Sequence, residues 1–185
     1  SGIGEATAYE AAKQGARLVL SARRKGELER VKTATGLKSE DVLVLPLDME
    51  NHSEIQSAVD MVLSTFGRID ILFNNAGVSQ RSSVVDTDFE VFERLMNLNY
   101  LSVVALTKAV LPVMIKQNSG SVINTSSNSG WQGQANMGPY VVAKYGVVGL
   151  TKTAALEVGK YNIRVNTIQP TGVNSRMKKE LDQKL

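Results

Sequence analysis

Arg68-Ile69-Asp70-Ile71-Leu72-Phe73-Asn74-Asn75-Ala76-Gly77 is a short apolar run that breaks off into two asparagines, an alanine and a glycine. The run Ile69–Asn74 is too short for a buried helix, and its near-continuous apolar character reads as a parallel strand covered on both faces. After the strand, asparagine amides can satisfy exposed backbone groups, and small residues let a flat adenine or ribose lie against the main chain. A tight turn would use the same residues.

Working outward, similar runs occur at Arg17–Ala22, Val42–Leu47, Ser121–Thr125 and Arg164–Ile168. Helical patterns lie between them, at about Gly4–Gln14, Lys25–Thr35, Ser53–Phe66, Asp88–Gln117 and Pro139–Lys160. Gly15 suits a C-terminal cap, Ser53 or Asn51 can begin the third helix, and Gly67 can close it. Pro112, lacking an N–H, is expected to end or kink the fourth. This repeated winding predicts an α/β fold, a doubly wound parallel sheet of Rossmann-like type in three layers, with ligands at the carboxyl ends of the strands.

Composition narrows the classes. The chain has 185 residues, 43% of them apolar and 21% charged, which suits one globular domain over residues 1–185. The formal charge is +3, and the basic residues are dispersed apart from Arg23-Arg24-Lys25 and Arg176, Lys178 and Lys179, so nucleic-acid binding is not indicated. With no cysteine and one histidine, His52, neither a disulfide framework nor a thiolate or histidine metal site is expected. This composition is compatible with the cytoplasm or another reducing compartment. No apolar run reads as a membrane span, and an anchor ahead of Ser1 stays open.

Three groups of residues carry the chemistry. Ser1-Gly2-Ile3-Gly4 leads straight into a helix, as the second half of a glycine-rich phosphate turn would. Arg23 and Arg24 follow the strand Arg17–Ala22, where an acidic residue would bind the ribose hydroxyl of NAD and arginine would take the 2′-phosphate of NADP; a solvated basic turn is the plain alternative. Asp48 either accepts a hydrogen bond from adenine or caps the following helix. Finally, Tyr140 and Lys144 lie four apart on helix-forming sequence, with Ser127 thirteen residues before the tyrosine. Lysine beside a phenol is expected to lower its pKa from ~10 towards operating pH, and Ser127 offers a hydrogen-bond donor for a substrate oxygen.

Taken in order, these residues resemble the short-chain dehydrogenase/reductase family over essentially the whole chain. Gly2-Ile3-Gly4 matches the end of its glycine turn, Asn74-Asn75-Ala76-Gly77 its Asn-Asn-Ala-Gly segment, and Asn99, Ser127, Tyr140 and Lys144 its active-site tetrad. Asn97 competes with Asn99, which is preferred because it lies thirteen residues before Pro112. Asn166 and Pro170 fit the family's Arg-Val-Asn-x-Ile-x-Pro strand, and Pro170, Val173 and Ser175 fall on its nicotinamide side. Ser21–Arg24 and Gly67–Leu72 look most like the NADP-preferring carbonyl, steroid and retinoid reductases.

The resemblance implies NADP(H) in preference to NAD(H), a small carbonyl or alcohol substrate, no metal, and a homodimer or homotetramer packed through the Pro139–Lys160 helix. Hydride would pass between nicotinamide and the carbonyl or alcohol carbon, with Tyr140 as general acid/base. Ser127 would polarise the oxygen, Lys144 would hold the nicotinamide ribose, and Asn99 would hold a water that leads to solvent. Thr171 stands where the family has glycine, and Ala143 where serine is common. The first strand, its leading Thr-Gly, and the last strand and helix are missing from the pattern, so the fold is expected to be incomplete at both ends. A non-catalytic truncated nucleotide-binding or scaffold protein is the alternative reading.

Overall fold

The structure is a computed structural model that describes residues 2–175 of the chain. Ser1 of the expected phosphate turn and the basic residues from Arg176 onwards lie outside the described residues. The chain divides into two compact units, 1–67 and 68–185.

The first unit contains helix α1 (Ile3–Lys13), strand β1 (Leu18–Ala22), helix α2 (Lys25–Thr35), strand β2 (Val42–Pro46) and helix α3 (Ile55–Phe66). β1 and β2 run parallel in register from Leu18 opposite Val42 to Ala22 opposite Pro46, with α2 as the crossover. Its core joins Ala8 and Ala12 of α1 to Leu18, Leu20, Leu28, Val31 and Val42. At Gly15 (φ +77°) the α1 helix closes as expected, with Gly15 N–H donating to Ala12 O at 2.9 Å and Ala16 N–H to Ala11 O at 3.1 Å. Asn51 occupies the N-cap of the 3-10 turn His52–Glu54 before α3, but its side chain accepts from the Ser53 hydroxyl, not from a backbone N–H. Arg30 of α2 reaches both carboxylate oxygens of Glu5 on α1 at 3.0 Å. The Tyr9 hydroxyl also donates to Glu5, and these bonds hold the carboxyl down at about 2.

The second unit contains β3 (Ile71–Asn74), α4 (Phe89–Met96), α5 (Ser102–Gln117), β4 (Gly120–Thr125), α6 (Gly138–Val158) and β5 (Ile163–Ile168). Its strands are all parallel in the order β3-β4-β5. β4, the middle strand, is buried or half-buried along its whole length, whereas the flanking strands are not. Ile71 is 64% exposed, so the expectation of two covered faces fails for β3, and the exposed Val19 shows the same for β1. Both are edge strands here.

Pro112 does not end the fourth helical stretch. α5 runs through it to Gln117. Earlier in the stretch, Asn97–Leu101 forms a π turn joining α4 to α5, a wide turn frequent at functional sites. The stretch Phe89–Gln117 is also long and apolar enough to cross a membrane by length and composition alone, which the sequence reading missed. Its polar side chains Asn99, Ser102 and Thr107 are buried, and Lys108 lies within it, as suits a core helix.

Candidate active site

In the second unit, α6 begins just ahead of Tyr140, with Pro139 in its first turn where a missing N–H costs nothing. Four residues on, Lys144 lies on the same face, its Nζ 5.5 Å from the centre of the Tyr140 ring. Lys144 is only 4% exposed. Its ammonium donates to Thr125 O, at the end of β4, at 2.8 Å. Burial moves this lysine down to about 8.

Ser127 follows β4 in extended conformation and caps the short 3-10 turn Asn128–Gly130, its oxygen accepting from Ser129 N–H at 3.2 Å. Its hydroxyl donates to Asn128 Oδ1 at 2.9 Å, and it lies near enough to the Tyr140 phenol to act on its pKa. The phenol departs from expectation. Burial raises it above its ordinary value, and Ser127 nearby pulls the other way. Spacing alone suggested that the ammonium would dominate, but desolvating the phenolate outweighs the other contributions here.

Asn99 is fully buried in the π turn. Its Oδ1 accepts from Val78 N–H and its Nδ2 donates to Val78 O, both at 2.9 Å, so the side chain grips the loop after β3. Asn75, Ala76 and Gly77 form that loop. A Cβ on Gly77 would lie 3.0 Å from Asn99 Oδ1 and 3.7 Å from Lys144 Nζ, so glycine is what lets the loop approach both. The structure thus brings Gly77, Asn99, Ser127, Tyr140 and Lys144 into one set of contacts. Pro170 touches the same region through its carbonyl, which accepts from Asn128 N–H at 3.1 Å, while Val173 and Ser175 follow at the end of the described chain. Sequence reasoning missed Val78, Thr125 and Asn128. The first two act through backbone atoms, which no residue type advertises.

In the first unit, Gly2 is the N-cap of α1 (φ +66°) and supplies no capping side chain to the first-turn N–H groups. Those donors suit anionic oxygens. Arg23 and Arg24 are exposed at the carboxyl end of β1, and Arg23, Pro46, Leu47, Asp48 and Glu54 line an open depression of about 300 Å³. Asp48 Oδ1 accepts from Glu50 N–H at 3.0 Å, a local turn bond that leaves its other oxygen for a ligand. These residues fit the phosphate and adenosine parts of a dinucleotide.

A parallel α/β fold of this winding is of the nucleotide-binding type, and here a serine, a tyrosine and a lysine gather past the end of β4. Residues 1–185 match the short chain dehydrogenase family, and the chain belongs to it. It is 43% identical over 182 residues to dehydrogenase/reductase SDR family member 7 of Homo sapiens, a match covering 96% of this chain and 54% of that protein. Levodione reductase superposes with a TM-score of 0.93 at 35% identity, covering 98% of this chain and 71% of that one. The structure of ElxO with NADP bound gives 0.91 at 28% identity, covering 99% and 75%. The chain spans about half the length of the first curated relatives it matches.

Proposed function

We propose that the chain is the cofactor-binding and catalytic part of an NADP(H)-dependent oxidoreductase that interconverts a carbonyl and a secondary alcohol. The observation that carries this reading is the meeting of Ser127, Tyr140 and Lys144, with the Asn99-held loop beside them. When bound, the reduced nicotinamide supplies hydride to the carbonyl carbon.

The side chains do the rest. Tyr140, whose pKa burial raises, keeps its proton at neutral pH and can give it to the oxygen that gains charge. Ser127 stabilises that oxygen by hydrogen bonding once its proton leaves Asn128. Lys144, a cation in a dry site, favours the phenolate left behind and holds ribose hydroxyls. Because the Asn99 amide is committed to Val78, the water-holding role falls to main-chain atoms of the Asn97–Leu101 turn. Gly2, Ile3 and Gly4, with Ser1 ahead of them, are assigned to the phosphates, Arg23 and Arg24 to the 2′-phosphate and Asp48 to adenine. Asn75, Ala76, Gly77, Pro170, Val173 and Ser175 are assigned to the rest of the cofactor.

Support for NADP comes from the two arginines and from the NADP named with ElxO. Levodione reductase, a similar structure, makes cyclic diketones sensible first substrates, beside steroids and retinals. The chain is read as one nucleotide-binding domain and as a homodimer or homotetramer, since Val142, Tyr145 and Leu156 on one face of α6 are exposed. Sedimentation of a monomer at micromolar concentration would remove the oligomer.

The test is NADPH fluorescence on adding protein, followed by NADPH oxidation with a panel of diketones, steroids and retinals. Enhanced fluorescence with turnover is the expected result. Binding with no turnover across the panel would favour the non-catalytic alternative.

A further inference from the structure

Three consecutive residues, the last two of β4 and Ser126 after them, grip α6 at three different atoms. Asn124 Nδ2 donates to Thr151 Oγ1 at 2.9 Å, Thr125 O accepts from Lys144 Nζ at 2.8 Å, and Ser126 Oγ donates to Lys144 O at 2.9 Å. Thr151 and Lys144 are two helical turns apart and therefore share a face. Every side chain in this grip is at most 5% exposed: Asn124, Ser126, Lys144 and Thr151.

The orientation of the Asn124 amide follows from one backbone carbonyl. Thr151 gives its single hydroxyl proton to Val147 O at 2.7 Å, so towards Asn124 it can only accept. Asn124 must therefore turn its NH₂ to Thr151 and its Oδ1 to Asn74, whose Nδ2 lies 2.8 Å away. A directed chain runs from β3 through β4 into α6. Ser126 in turn needs the glycine at 130, where a Cβ would fall 2.3 Å from its Oγ and 3.1 Å from Lys144 O.

A lysine stem has four rotatable bonds, and one carbonyl does not by itself hold a helix at a given height. We propose that Asn124, Ser126 and Thr151 are positioning residues that lock α6 against β4 in the one register where the Lys144 ammonium meets the Thr125 carbonyl. This rests on the oxidoreductase reading for its catalytic meaning, though the lock itself does not. None of the three residues touches the reacting atoms. Each acts through Lys144.

Burial of the ammonium is what lowers Lys144 to about 8, and that burial persists only while the helix stays in register. Among the described residues, the titratable group facing Lys144 is Tyr140, on its own helix; Gly77, Asn99 and Thr125, from the other segments against it, carry no charge.

The experiment is a pH titration of the Lys144 ¹³Cε resonance in lysine-labelled protein, assigned by its loss in Lys144→Arg. In Thr151→Val, which keeps the shape and removes the hydroxyl, the midpoint is expected to rise by roughly one unit as the ammonium gains water. Thr151→Ser, which keeps the hydroxyl, should titrate like the unchanged protein. Should Thr151→Val fail to fold, Ser126→Ala carries the same expected rise. A folded Thr151→Val or Ser126→Ala with an unmoved midpoint overturns the proposal. The titration needs no turnover, so a protein that never oxidises NADPH would sink the oxidoreductase reading and leave the lock standing.

Discussion

Lys144 is a buried cation whose pKa has dropped to about 8 from 10.5, and this has a measurable consequence for stability. Because the unfolded chain holds that proton more tightly than the folded one, folding is disfavoured below about 8 and recovers as pH climbs from there to 10.5. Lys144→Met removes the titration. Compared by urea unfolding, the unchanged protein should gain on the variant across this window by up to about 1.4 kcal/mol per pH unit. A difference flat in pH would mean that the ammonium is not buried. The sequence made the Tyr140–Lys144 pairing legible, since helical periodicity alone puts residues four apart on one face. It did not make the direction of the Tyr140 shift legible, because burial depends on what covers the phenol.

Among the elements, the π turn Asn97–Leu101 is the one that a pattern of residue types conceals. A π turn is set by what must be accommodated on the inside of the helix, and here that is the Asn99 amide, bonded in both directions to Val78. Asn99→Ala leaves the Val78 amide and carbonyl without these partners, at a cost of about 1–3 kcal/mol. Amide exchange at Val78 should accelerate by roughly tenfold or more, while the middle of β4 keeps its protection. Equal acceleration at both places would show that Asn99 supports the whole unit and not this loop. By contrast, the strands were readable to within two residues at either end, since short β-branched runs bounded by glycine, asparagine and proline leave little choice. That Pro112 does not end α5 has a physical reason: a proline late in a long, well-packed helix costs one hydrogen bond, which buried Val110 and Met114 beside it can offset.

For the molecule as a whole, family and winding are legible from ordered motifs, whereas the two compact units 1–67 and 68–185, where one domain was expected, are not. The sheets that form, β1-β2 in the first unit and β3-β4-β5 in the second, are each parallel, as the repeated winding predicts. Cofactor choice is also a property of this scale. Replacing both Arg23 and Arg24 by alanine should weaken NADPH binding by about tenfold or more, the worth of lost charge-assisted hydrogen bonds, and leave NADH nearly unchanged. An unaltered ratio of the two affinities, measured by fluorescence titration, would return these arginines to a solvated turn.

Proton donation from Tyr140 is the claim on which the functional reading turns. Its most direct measurement is NADPH oxidation by Tyr140→Phe, with a carbonyl substrate that the unchanged protein reduces and with NADPH binding followed in parallel. Loss of turnover with NADPH affinity retained is the predicted result; turnover close to that of the unchanged protein would contradict it.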